Sequence, residues 1–125
     1  MAFLRTLAAA AALAMTTLPT WAAELVMVEE PGCMWCARWE AELGAIYPKT
    51  PEGQLAPLRK VEIADTRGDA TGISFARPVL FTPTFVLVED GQELARIEGY
   101  PGEDFFWGLL GGLLAAHLGF EPVQG

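Results

Sequence analysis

The sequence predicts an α/β fold in which a four-stranded mixed sheet is flanked by helices. Three observations carry that prediction. The apolar run Glu24–Glu29 (ELVMVE) passes through Pro31-Gly32 into a helical pattern beginning at Cys33. Asp90-Gly91 separates two strand-like runs, as the turn of a tight hairpin does. Phe105–Leu118 is apolar almost throughout, which suits a helix laid on a sheet.

The first 22 residues stand apart from that fold. Met1–Arg5 is a short basic start, Leu7–Met15 (LAAAAALAM) is apolar, and Thr16–Ala23 (TTLPTWAA) ends in small residues. Thr20 and Ala22 satisfy a small-x-small rule for cutting after Ala22. Residues 1–22 therefore read as a secretory signal peptide and 23–125 as one small domain. The apolar run is well short of the roughly 18–20 residues a membrane span needs. Losing Arg5 with the leader takes the net charge from −8 to −9. Such acidity argues against nucleic acid or anionic lipid as partner.

Glu24–Glu29 is consistent with a central strand buried on both faces. Beyond Pro31-Gly32, the positions Cys36, Trp39, Leu43, Ile46 and Tyr47 fall at helical spacing, with Arg38, Glu40 and Glu42 on other faces. Gly44 weakens this helix and Pro48 stops it. Lys49–Pro57 reads as a polar loop. Leu58–Ala64 (LRKVEIA) alternates, with Val61 and Ile63 on one side, and gives a second strand. Asp65–Ala76 keeps no period, and only a short helix or turn around Ile73–Ala76 is expected there. Thr84–Val88 (TFVLV) and Glu93–Glu98 (ELARIE) flank Asp90-Gly91 as hairpin strands. Glu103 and Asp104 mark the start of the last helix. Its Gly108-x-x-x-Gly112 spacing packs helices in membranes, but the expected reading here is a helix on the sheet, brought close by its glycines. Parallel pairing of the first two strands, then an antiparallel hairpin, gives the mixed sheet, with helices expected on both faces.

The chemistry sits in Cys33-Met34-Trp35-Cys36, which holds the only two cysteines. Positions i and i+3 in a first helical turn share one side, with Cα atoms roughly 5–5.5 Å apart, inside the range a disulfide accepts. The orphan N–H groups and dipole of a helix start stabilise a thiolate at Cys33, leaving Cys36 to act as the resolving thiol. An oxidising compartment usually makes a lone pair structural, but a bridge across two residues removes little unfolded-state entropy. Three alternatives stand beside a reducing pair. One CxxC supplies two of the four ligands a closed zinc site wants, and the sole histidine, His117, is remote. Ala37 after Cys36 excludes the haem-attachment pattern. A fixed disulfide in a non-catalytic adaptor is the second alternative. A disulfide oxidase or isomerase, in place of a reductase, is the third. No cofactor is implied.

Three features together resemble the thioredoxin superfamily in its minimal form: the CxxC after the first strand, Thr82-Pro83 before the third, and Asp90-Gly91 in the final hairpin. The resemblance implies that Pro83 is cis and lies against the cysteines, and that the backbone of Thr82 docks a substrate as an added strand. Trp35 would form an apolar lip beside Cys33, or else simply pack. The leader, Pro31-Gly32 with the CxxC, and Gly99-Tyr100-Pro101-Gly102 with Phe105-Phe106-Trp107-Gly108 are similar to SoxS-type periplasmic thioredoxins of the sulfur-oxidising (Sox) system. That likeness implies a periplasmic reductase of a client protein disulfide, on a Sox carrier protein, fed by a membrane thiol–disulfide electron donor. Two departures matter. Met27 stands where the superfamily carries a buried aspartate that serves the second cysteine, so that role is vacant or passes to Glu29 or Glu30. Met34-Trp35 replaces Gly-Pro between the cysteines. Glu29 and Glu30 would oppose a thiolate and tilt the pair towards reduction of clients.

Overall fold

The computed structural model describes residues 9–15 and 23–122. The predicted leader, apart from 9–15, and its cut after Ala22 lie outside the described residues. Strand β1 (Glu24–Glu29) is central, with β2 (Leu58–Glu62) parallel to it on one side. On its other side β3 (Thr84–Glu89) runs antiparallel, followed by β4 (Gln92–Glu98), for an order β2-β1-β3-β4. Helices α1 (Met34–Trp39), α2 (Pro51–Leu55) and α3 (Glu103–Leu118) complete the set. The turn between β3 and β4 holds Asp90 at φ 53° and Gly91 at φ 73°, the pair of left-handed residues a type I′ hairpin requires. A bulge between Leu87 and Val88 shifts the β3–β4 register.

The pleat divides the core in two. Leu25, Met27, Phe85 and Leu87 meet Trp39, Leu43 and Tyr47 and the Phe106, Leu110 and Leu114 stripe of α3. Val26, Val28, Val86 and Val88 face the other way, against Ile73 and Val79. All three α-helices therefore cover one face. The expectation of helices on both faces is corrected: a 3₁₀ turn (Ile63–Arg67) and an irregular crossover cover the second. No helix forms at Ile73–Ala76, where Ser74 instead makes a parallel bridge to Gln92.

Two further corrections have local causes. The first helix passes into a π-helical turn at Glu40–Gly44, and Pro48 sits inside a following 3₁₀ turn (Tyr47–Lys49). Cys36, Trp39, Leu43 and Tyr47 are buried as expected, whereas Ile46, expected on the same face, is 49% exposed. The expected loop after Lys49 contains α2, because Thr50 caps it by accepting from the Gly53 amide at 3.0 Å and Pro51 occupies its first turn. Burial, then the charge of Glu52, push the Tyr47 phenol up, so it stays protonated and donates to the Ala56 carbonyl at 2.6 Å.

In α3 the glycines do not bring the helix close to anything. A Cβ at Gly108, Gly111 or Gly112 would meet open space, because these residues lie off the stripe that packs on the sheet. Among the described residues no helix is long and apolar enough to cross a membrane.

Candidate active site

Glu30 joins the two halves of the site. Its carbonyl accepts the Cys33 amide at 3.2 Å, and its carboxylate accepts the Thr82 hydroxyl at 2.7 Å. The pairing of Val28 with Thr84 places the Thr82-Pro83 dipeptide beside this end of β1. The Thr82–Pro83 peptide bond is cis. Thr82 is half-buried and Pro83 buried.

Cys33 caps α1, and its sulfur accepts the Cys36 amide at 3.2 Å. The two cysteines are joined by a disulfide with Cα atoms 5.3 Å apart, in line with the helical spacing. Their exposure differs. Cys36 is 5% exposed, packed within the helix-side core, whereas Cys33 only borders that core. An incoming sulfur can therefore reach Cys33 and is kept from Cys36.

Trp35 is 46% exposed and not part of the core. The Arg38 guanidinium lies 5.3 Å from its ring centroid and donates to Glu42 at 2.9 Å, so the indole stands at the surface beside a cation. Met34 beside it is exposed as well.

An open cleft of about 480 Å³ runs beside the pair, lined by both cysteines, Glu29, Glu30, Glu40, Glu62 and Lys60. Alternation along β1 puts Glu29 on the face of Met27, and alternation along β2 puts Lys60 and Glu62 on the same face. Lys60 donates to Glu40 at 2.5 Å. Met27 itself is fully buried among apolar side chains, so no titratable group stands at that position below Cys36. Four carboxylates against one ammonium give the cleft a field that opposes a thiolate.

Glu40, Lys60 and Glu62 were not anticipated as neighbours of the cysteines. The signal existed: Glu40 is one turn beyond Cys36, and Lys60 and Glu62 alternate with Val61. Leu80 and Phe81, 72% and 57% exposed just before Thr82, carry no such signal. Among the described residues no three His, Cys, Asp or Glu side chains gather as metal ligands, and His117 lies exposed in the last turn of α3.

No protein-family model matches the chain, nor does any curated protein sequence. Solved structures do. The reduced periplasmic thioredoxin SoxS from Paracoccus pantotrophus is 49% identical, with a TM-score of 0.70 over 74% of this chain and 96% of that one. Fasciola hepatica thioredoxin matches at 20% identity and a TM-score of 0.50, over 73% of this chain and 80% of its own. Malassezia sympodialis thioredoxin matches at 18% identity and 0.51, over 73% and 74%. The last two show the fold alone.

Proposed function

The chain belongs to the thioredoxin superfamily, and from that premise we propose that it is a periplasmic thiol–disulfide oxidoreductase that reduces protein disulfides. The observation that carries the proposal is the unequal Cys33–Cys36 pair, one sulfur at the surface of a helix start and the other in the core.

In the reduced form the Cys33 thiolate, stabilised by the Cys36 amide and the helix start, attacks one sulfur of a client disulfide. The client S–S bond breaks, a Cys33–client mixed disulfide forms, and the other client sulfur leaves as a thiolate and takes a proton. Cys36 then loses its proton and attacks the Cys33 sulfur. The mixed disulfide breaks, the client leaves with both thiols, and the Cys33–Cys36 disulfide closes. Two electrons have passed to the client. A membrane dithiol donor must return them, because the periplasm holds no reducing buffer.

Thr82 and Pro83 are proposed to dock the client as an extended strand beside Cys33, with Trp35 as an apolar lip. The likeness to SoxS supports export of residues 23–125 behind a cleaved leader, and supports a carrier protein of the sulfur-oxidising system as client.

The test is a Cys36→Ser variant, in which the second step is missing. Incubated with oxidised client extract, it is expected to accumulate a mixed disulfide through Cys33 that dithiothreitol releases. A variant that traps nothing, alongside a Cys33→Ser protein with full activity, would leave the pair a fixed disulfide and the domain an adaptor.

A further inference from the structure

Arg96, on the edge strand β4, does not turn to solvent as charged edge residues commonly do. Its side chain and that of Glu93 are each 3% exposed. The guanidinium donates through Nε and an Nη to the two Glu93 oxygens at 2.8 and 2.7 Å. It also donates to the Arg77 carbonyl at 2.7 Å and the Pro78 carbonyl at 3.2 Å. Glu93 in turn accepts the Ala76 amide at 3.0 Å. Burial pushes the Glu93 carboxyl up. The Arg96 bonds, the Ala76 amide and the charges of Arg96 and Arg77 outweigh it, holding the group below the ordinary range.

The three bonds to main-chain atoms end on one stretch, the irregular segment that leads into Thr82-Pro83. Its backbone has no strand partner at 76–78, and Glu93 and Arg96 supply side-chain partners there. Val79 is then buried against the sheet, Leu80 and Phe81 stand out, and the Phe81 carbonyl accepts the Thr84 hydroxyl at 2.6 Å. The segment is thus held at both ends with two apolar side chains presented between. A buried ion pair adds little net stability, because desolvation offsets the attraction. What the fork of an arginine adds here is direction, since one planar group meets a carboxylate and two carbonyls together.

We propose that Arg96 and Glu93 are positioning residues for client docking, which hold residues 76–83 in the conformation an extended client segment needs. The proposal rests on the reductase reading above. A loop already ordered spares the client the cost of ordering it, so the effect falls on binding and not on the sulfur chemistry.

The test uses the full chain reduced with dithiothreitol and desalted, with oxidised insulin as the protein disulfide and 2-hydroxyethyl disulfide as a probe too small to need the loop. Arg96→Lys keeps the charge near Glu93 but loses the fork, and Arg96→Met loses both. For both, the half-saturating insulin concentration is expected to rise about fivefold or more. The rate with 2-hydroxyethyl disulfide and the reduction potential stay within about twofold and unshifted respectively. Wild-type insulin kinetics in both variants, or parallel losses with both probes, would overturn the proposal. Failure of both variants to fold would overturn it too, because the pair would then be holding the fold. A wild-type protein that reduces neither probe would instead overturn the reductase reading.

Discussion

Glu29 and Glu30 are consecutive carboxylates with separate tasks. Strand alternation sends Glu29 to the face of Met27 and the cysteine cleft, while Glu30 binds the Thr82 hydroxyl and takes the Cys33 amide on its carbonyl. Both place negative charge beside a sulfur that must ionise. A Glu29→Gln/Glu30→Gln double variant is expected to let the Cys33 thiolate form at lower pH, read as thiolate absorbance against pH in the reduced protein. A titration that does not move would show that the cleft field does not reach Cys33. Trp35 likewise stands outside the core, with the Arg38 guanidinium 5.3 Å from its ring centroid.

At the scale of elements, α3 gives a direct check on how it packs. Phe106, Leu110 and Leu114 make the contact, and Gly108, Gly111 and Gly112 face open space. Alanine at each should therefore stabilise the protein by about 0.5–1 kcal/mol, measured by denaturant unfolding, because helical glycine loses more backbone entropy than alanine. Destabilisation would show that the glycines make a close contact after all. What was legible in the sequence was local. The β1 run, the Asp90-Gly91 turn and the α3 stripe are each set by neighbouring residues, and each falls where expected, though Gln92 and Glu103 extend the second and third by a residue or two. Helix α2 carried its signal in Thr50 and Pro51, but five residues are too few to show a period. Between Ile63 and Thr82 the sequence offers only a short helix or turn around Ile73–Ala76, and no helix forms there. Residues 76–78 of this crossover are tethered by bonds from Glu93 and Arg96, 17 to 19 residues away in sequence, and no local pattern encodes such a contact. The same reason hid Leu80 and Phe81.

Over the whole molecule, acidity and topology act together on the redox pair. The chain carries 16 acidic against 8 basic side chains, and the sheet order brings four of those acids to one cleft with both cysteines. A helix start favours the Cys33 thiolate, whereas the cleft opposes it. A dithiol whose thiolate is held back gives up its electrons more readily than one whose thiolate is stabilised, which is the poise a reductase needs. The reduction potential of the Cys33–Cys36 pair, measured by equilibration against glutathione mixtures, tests this directly. The account predicts a value near roughly −270 mV, the range of reducing thioredoxins. A value near about −120 mV, the range of a strong disulfide donor, would contradict it and reverse the direction of electron flow.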